Sequence, residues 1–266
     1  MANQSSKFIG NIPENYDTGL GPLIFFDYAD IMSAMTADHA PQSVLELAAG
    51  TGIVTRRLRN ALLPECTLLA SDLNAPMLEI AKKKFRNDEK VAFETADATS
   101  LAFDNESYDA VVCQFGVMFF PDKARSYSEV HRVLNRGGHY LFSVWGAWKH
   151  NPFAEMVHNV VAGFFPDNPP GFYKVPFGYH DTGLIRDSLT AAGFDQVVVE
   201  VRDIVSEIPS ASDFAQGLVF GNPVYEEIVS RGGNPEEVRH TIEREIDKTF
   251  GGSMPLQAIF FDAVKK

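Results

Sequence analysis

Residues 44–52, Val-Leu-Glu-Leu-Ala-Ala-Gly-Thr-Gly, constrain this chain more than any other stretch. Val44 to Leu47 reads as a short buried strand, and Ile53-Val54-Thr55-Arg56-Arg57-Leu58 reads as a helix starting directly after the glycines. The turn between them is then a strand-to-helix loop. Small residues at Ala48, Ala49, Gly50 and Gly52 let a ligand approach the backbone, and the new helix points its unpaired N–H groups at that ligand. A nucleotide-like guest suits such a loop.

Two ligand classes use loops of this kind. A dinucleotide-binding turn follows G-x-G-x-x-G with an acid about 20 positions further on. Here Gly50, Gly52 and Thr55 fit it in part, and Asp72 stands in the place of the acid. The stretch also resembles the first motif of class I S-adenosylmethionine-dependent methyltransferases, acid-x-G-x-G-x-G, present as Glu46-x-Ala48-x-Gly50-x-Gly52 with alanine for the first glycine. In that family the acid helps orient the methionine part of the cofactor, whereas a dinucleotide has no cationic amine to hold there. The resemblance implies S-adenosylmethionine as cofactor and assigns Glu46, Ala48, Gly50, Thr51 and Gly52 to its site. Alanine at position 48 allows close approach at negative φ and is strained at positive φ.

Composition narrows the function classes. The 266 residues are enough for one large domain with a full core, and a net charge of −12 argues against a nucleic-acid backbone as partner. The one dense basic run, Lys82-Lys83-Lys84, reads as the solvated side of a helix. No apolar run approaches the roughly 20 residues of a membrane span, and Met1 to Lys7 lack an apolar signal core, so a cytoplasmic protein is expected. Cys66 and Cys113 read as reduced core thiols, and no metal-ligand spacing is seen. The oligomeric state is left open.

Ahead of the first strand, Pro22 opens a helical pattern in which Leu23, Phe26, Ile31 and Met35 share much of one face, placed against the edge of the nucleotide domain. Ile12 to Asp17 is either a surface segment or a flap whose Tyr16 closes over the cofactor. Thr67 to Asp72 is a second strand ending in an acid beside the glycine loop, where Asp72, followed by Leu73, can accept both ribose hydroxyls. Asn74-Ala75-Pro76 starts a helix with Met77, Ile80, Ala81 and Phe85 at helical spacing. Spacing alone puts Met77 in the core; the resemblance puts it against the adenine ring. Val91 to Thr95 is a third strand, followed by Asp97-Ala98, the acid-small pair that in the family contacts adenine, although Asp97 also suits a turn cap. Tyr108 to Cys113 is a fourth, nearly all-apolar strand. By resemblance, Gln114 and Phe115 are cofactor contacts, and Val117 and Phe119 are pocket walls.

From Asp122 a helix carries Ala124, Tyr127, Val130 and Leu134 on one side, and Asn135 to Gly138 turns into a strand over His139 to Val144. Five strands thus alternate with four helical segments, counting the helix before the first strand and a weak link between strands three and four. A parallel sheet is the economical reading. Helices follow at 151–165, 181–192 and 235–250, with strands at Gln196 to Val201 and Leu256 to Phe261. These two strands fit the family's sixth strand and its inserted antiparallel seventh. The expected fold is α/β, Rossmann-like and doubly wound, with a mostly parallel seven-stranded sheet, an antiparallel last strand and helical lid insertions. One class I methyltransferase domain would fill residues 1–266: an N-terminal flap and helix over 1–42, a cofactor-binding core over 43–144, and lid insertions at 145–180 and 208–252.

The resemblance covers residues 44–144, more loosely the sheet to 264, and is nearest to the small-molecule branch similar to ubiquinone- and menaquinone-biosynthesis methyltransferases. It implies methyl transfer to a small, hydrophobic or aromatic metabolite. Trp145, Trp148, Phe153, Phe164, Phe165, Phe172, Tyr173 and Phe177 would line an apolar acceptor pocket, or equally form the insertion's own small core. His150 and His180 flank the lid, but no catalytic base is assigned. Asn168-Pro169-Pro170 resembles a motif of amino-group methyltransferases on nucleic acids, yet that motif follows the fourth strand, where Gln114-Phe115-Gly116 stands instead. Two alternatives stay open: a nicotinamide-dinucleotide oxidoreductase and a non-catalytic S-adenosylmethionine-binding protein.

Overall fold

The computed structural model describes Phe8, Gly10 and residues 12–266; the expectation for Met1 to Lys7 falls outside them. Seven strands form one sheet in the order β3-β2-β1-β4-β5-β7-β6. They are β1 (Ser43–Glu46), β2 (Thr67–Asp72), β3 (Val91–Thr95), β4 (Tyr108–Gln114), β5 (Leu134–Trp145), β6 (Gln196–Glu207) and β7 (Ser253–Val264). β1 to β5 pair in parallel, while β7 runs antiparallel to both β5 and β6. The chain therefore has the expected doubly wound, mostly parallel sheet with an antiparallel last strand.

The sheet's centre is covered on both faces, and its composition follows. In β1, Val44 and Leu45 are buried, and β4 buries Ala110 to Cys113 without a gap. The helices are α1 (Ile12–Asn15), α2 (Phe26–Asp38), α3 (Ile53–Ala61), α4 (Ala75–Lys82), α5 (Lys123–Val133), α6 (Pro152–Phe164), α7 (Thr182–Ala191), α8 (Ala211–Phe220), α9 (Val224–Ser230) and α10 (Pro235–Phe250). β1-α3-β2 moves outward in one direction and β4-α5-β5 in the other, so right-handed crossovers put α3 and α5 on opposite faces. α2 packs with α3, and α5 with α7. All strand C-termini of the parallel set thus open on one edge, the place where open α/β sheets hold ligands.

The start of the chain differs from expectation. Pro22 does not open a helix: Tyr16–Phe25 is a ten-residue π-helical segment that carries Pro22 inside it and continues into α2. Pro22 is exposed, and the wider i→i+5 register tolerates a missing donor that a regular α-helix would register as a break. The buried face is accordingly Ile24, Tyr28, Met32 and Thr36, with Leu23, Phe26, Ile31 and Met35 only half-buried. Nor does α2 lie at an edge, since it packs over β4 and β5. The weak link between β3 and β4 is a loop with no helix, and β6 continues six residues past the apolar run, to Glu207. Those added residues, Arg202 to Glu207, carry only two apolar side chains between charged ones at the sheet's edge, a composition that hides a strand from a search for apolar runs.

The two segments expected to be insertions are largely helical. Residues 145–180 hold α6 and three 3-10 turns, and 208–252 hold α8, α9 and α10. α8 lies against the π-helical segment at a point of backbone contact. A Cβ on Gly217 would stand 2.7 Å from the Gly19 carbonyl carbon, and one on Gly19 would stand 2.7 Å from Gly217 Cα. Replacing Gly217 with Ala should therefore cost about 1–3 kcal/mol of stability through overpacking; thermal denaturation measures it, and an unchanged melting temperature would refute the close approach.

Candidate functional site

Three adjoining cavities lie along the strand C-termini. The largest of the three, about 820 Å³ out to its mouth, runs from the glycine loop past the ends of β2 and β3 and is lined by Ala48, Gly50, Asp72, Leu73, Met77, Asp97 and Ala98, with Gln114 and Phe115. A smaller cavity of about 330 Å³ is lined by Glu46, Thr51, Gln114 and the backbone of the loop. A third, about 520 Å³, is almost wholly apolar and lies between the π-helical segment and the insertions, lined by Leu20, Ile24, Met118, Trp145, Phe153, Phe172, Tyr173, Phe177, Leu218 and Asn222 among others. Tyr16 and Phe115 line all three. The cavities meet at these two rings.

The glycine loop is held from both sides. Asp72 closes β2 with its carboxylate buried, accepting the Gly50 N–H on Oδ2 at 2.9 Å and the Asn74 N–H on Oδ1 at 2.7 Å. Burial raises its pKa, and these bonds oppose that rise. Oδ1 also accepts the Asn74 side-chain amide at 3.3 Å, so it is Oδ2 that keeps a lone pair for a further donor in the cavity. Thr51 is buried and donates its hydroxyl to Asp17 Oδ1 at 2.6 Å, and Lys84 of the segment after α4 pairs with the same oxygen. The π-helical segment is thereby tied to the loop it faces.

Two polar atoms in the small cavity have no donor. Glu46 is 2% exposed, and its Oε2 makes no hydrogen bond. Gln114 donates its amide to the Phe25 carbonyl at 3.3 Å, which leaves Oε1 buried and unpartnered. Burial lifts the Glu46 carboxyl to about 8, so without a cation beside it the group is largely protonated at neutral pH. Orphaned buried acceptors cost on the order of 1–3 kcal/mol each. A donor, and a cationic one above all, is the missing complement.

Ala48 takes the strained option. Its φ is +51°, in the left-handed region where the first glycine of the motif would be at ease. Opposite it, a Cβ on Gly116 would fall 2.4 Å from Ala48 Cβ and 2.8 Å from Cys113 Sγ. The bare backbone at Gly116 is the notch that receives the Ala48 methyl. Phe115 is also left-handed, at φ +55°, and this turns its ring flat onto Trp145 with centroids 4.0 Å apart and planes 7° from parallel. Cys113 behind the notch is an inert thiol, pushed by burial up to about 12.

Of the residues assigned from sequence to the cofactor, only Gly52 lies outside the three cavities. Its φ of +79° caps α3, and a Cβ there would meet Ala81 Cβ at 2.9 Å, so glycine serves helix packing at this position. Asp97 is exposed at the cavity rim, its Oδ1 accepting both the Thr99 N–H and hydroxyl; the turn-cap reading describes its present partners. Met77 is both core and wall, 4% exposed. Tyr16 stacks on Phe25 at 4.9 Å as part of a helix rather than a loose flap. Val117 is fully buried and lines no cavity, while Phe119 lines two. Of the lid aromatics, Trp148, Phe164 and Phe165 lie outside the three cavities, as do His150 and His180. The sequence reading missed Phe8, Leu20, Ile24, Asn74, Phe120 and Leu218. The run Phe119-Phe120-Pro121 after the β4 turn was a usable signal for Phe120; Leu218 had none, because it arrives from a distant helix.

A family model described as a methyltransferase domain matches residues 44–138. The match is a similarity to methyltransferase domains over little more than a third of the chain. It spans the glycine loop and the ends of β2, β3 and β4, the elements that line the two polar cavities. The demethylmenaquinone methyltransferase of Bacteroides fragilis is 34% identical over 104 residues, which are 38% of this chain and 42% of that protein. The chain thus spans about two-fifths of the length of the curated relatives it matches. Among solved structures, the YcgJ protein of Bacillus subtilis superposes with a TM-score of 0.60 at 19% identity, covering 90% of this chain and 99% of that one. Haemonchus contortus phosphoethanolamine N-methyltransferase 2, in complex with phosphomonomethylethanolamine and S-adenosylhomocysteine, gives a TM-score of 0.59 at 15% identity over 95% of this chain and 56% of that one. At such identities the structural likeness speaks to the fold alone, which is shared over the whole sheet. The nicotinamide alternative is not favoured.

The Ala48 notch makes a direct prediction. Gly116→Ala should lower stability by about 1–3 kcal/mol, and adding Ala48→Gly should restore much of it, since that change removes both the clashing methyl and the left-handed strain. Chemical denaturation of the two single variants and the double variant reads this as a non-additive cycle; strict additivity would dismiss the contact.

Proposed function

We propose that this protein is an S-adenosylmethionine-dependent methyltransferase acting on a small, apolar or aromatic metabolite. The observation that carries the reading is the meeting of a polar cavity with unfilled acceptors, a long cavity over three strand ends and an apolar annex at Tyr16 and Phe115. Glu46 and Gln114 fit the ammonium of the cofactor's methionine end, which satisfies both orphaned acceptors. Ala48, Gly50 and Thr51 supply the loop it lies on, Asp72 and Leu73 flank the ribose, and Met77, Asp97 and Ala98 border the adenine. When bound, the sulfonium supplies an electrophilic methyl group.

The chain's own residues then position and exclude. Tyr16 and Phe115 form the neck between cofactor and acceptor, and the stack of Phe115 on Trp145 keeps that neck rigid. In the annex the Tyr173 hydroxyl donates to the Leu218 carbonyl at 2.8 Å and accepts from Asn222 at 3.2 Å. Its polar groups are therefore turned on one another and the walls offered to an acceptor are apolar, as a water-poor site requires. Residues 145–180 and 208–252 serve as the lid over this annex. A net charge of −12 supports a small-molecule acceptor over a nucleic acid. A cytoplasmic location is part of the same reading, and the free, buried thiols Cys66 and Cys113 accord with a reducing compartment.

Calorimetric titration with S-adenosylmethionine, S-adenosylhomocysteine and reduced nicotinamide dinucleotides tests the cofactor. Binding of the first two alone is expected, and binding only of a dinucleotide would overturn the reading. Asp72→Ala should weaken S-adenosylmethionine binding at least about tenfold while the domain stays folded, because polar partners are left unpaired; unchanged affinity would remove Asp72 from the ribose.

Glu46 makes a pH prediction. Its folded pKa of about 8 stands above the ordinary 4.5, so the free protein holds a proton that the unfolded chain releases. That contribution to stability is present at low pH and is lost as pH rises through 8. An ammonium beside the carboxyl favours the ionised form, so cofactor binding should release a proton below pH 8, and affinity should climb by up to about tenfold per pH unit as pH rises towards 8. Calorimetry in buffers of different ionisation enthalpy measures the proton, and Glu46→Gln should abolish its release; full proton release by that variant would place its source elsewhere.

A further inference from the structure

Away from the cavities, three side chains that the methyltransferase reading does not use converge at the opposite end of the sheet. His39 ends α2, His139 lies in β5 and Asp262 in β7. The Asp262 carboxylate meets both imidazoles, with Oδ2 3.0 Å from His39 Nε2 and Oδ1 2.7 Å from His139 Nδ1. The two rings stack with centroids 3.6 Å apart and planes 24° from parallel. One donor atom from each residue lies within 4.8 Å of the other two.

We propose that His39 Nε2, His139 Nδ1 and an Asp262 oxygen form a binding site for a divalent first-row transition ion of the Zn²⁺ type. Two imidazole nitrogens and one carboxylate are a borderline donor set that suits zinc, cobalt or nickel, whereas calcium and magnesium take oxygens. A tetrahedral ion with bonds of about 2.1 Å spaces its ligand atoms about 3.4 Å apart. Each ring nitrogen is already inside that spacing from one carboxylate oxygen, Oδ2 for His39 and Oδ1 for His139, and with all three ligand atoms within 4.8 Å of one another the remaining adjustment is about an ångström. His39 can supply the movement, since it stands at a helix end before the turn into β1. The carboxylate now touches each ring through the nitrogen that would ligate, which leaves both rings oriented for an ion. With neutral imidazoles the cluster carries one net negative charge, and Asp262 is flanked in the sheet by Leu141 and Val198. Side-chain exposures of 28%, 21% and 16% for His39, His139 and Asp262 leave room for ion entry and for water in the remaining positions.

The site is structural. His139 precedes Ser143 by four residues, about 13 Å of strand, and Ser143 pairs with Gln114 at the cavity edge. An ion here would clip the end of α2, and so the entry to β1 and the glycine loop, onto β5 and β7. Sequence spacing could not announce it, because each ligand comes from a different element.

The full chain, stripped with a chelator, is titrated with Zn²⁺ against a chromophoric competitor, and with Co²⁺ read by its visible spectrum. One equivalent of Zn²⁺ is expected, with a rise in melting temperature and a cobalt spectrum of low coordination number. His39→Gln and His139→Gln should each weaken Zn²⁺ binding at least tenfold and abolish the thermal shift, while His240→Gln on α10 leaves both intact. Because changes inside the sheet can disturb folding, His39→Gln at the helix end is the deciding variant, with its fold checked by circular dichroism. Failure of the wild-type chain to take up one equivalent, equal affinity in folded His39→Gln, or an equal loss in His240→Gln would each overturn the site.

Discussion

The bond from the Gly50 N–H to the Asp72 carboxylate is the contact on which the candidate site depends. It ties the loop after β1 to the end of β2, and the second oxygen ties the same point to the start of α4 through Asn74. A loop rich in small residues has high conformational freedom, and one buried carboxylate with two backbone donors removes much of it. Thr51, Asp17 and Lys84 close the other side. The cradle is thus organised before any ligand arrives, which lowers the ordering cost of binding.

Around this cradle the structure accepts local cost where a ligand would repay it. Ala48 and Phe115 stand at positive φ, and Glu46 and Gln114 bury acceptors without donors. Such departures cluster where strand ends converge, and they point the same way: backbone pressed close to a guest, and an electron-rich pocket awaiting a cation. The strain at Ala48 is kept by packing, with Gly116 giving the methyl its place.

The insertions divide labour in a way their composition does not reveal. Trp145, Phe153, Phe172, Tyr173 and Phe177 wall the apolar annex, whereas Trp148, Phe164 and Phe165 pack elsewhere. The annex is closed from a third direction by Leu20 and Ile24 of the π-helical segment and by Leu218 of α8, brought together by the Gly19 and Gly217 contact. The apolar annex is therefore a joint product of all three thirds of the chain.

The sequence by itself determined the mostly parallel doubly wound sheet, the antiparallel last strand and nearly all of the polar cavities. The physical reason is locality: Glu46, Gly50, Asp72, Asp97 and Gln114 each stand at the end of an apolar strand, and a parallel sheet gathers such ends on one edge whatever the helices do. Gly52 matched the motif but serves α3 and Ala81, because a positive φ at a helix start asks for glycine with or without a ligand. Tertiary structure alone decided the rest. The π-helical accommodation of Pro22, the Gly116 notch for Ala48, the choice among lid aromatics and the meeting of His39, His139 and Asp262 all rest on contacts between residues far apart in the chain. Local propensity carries no record of such contacts; only the packed sheet brings their two sides within reach.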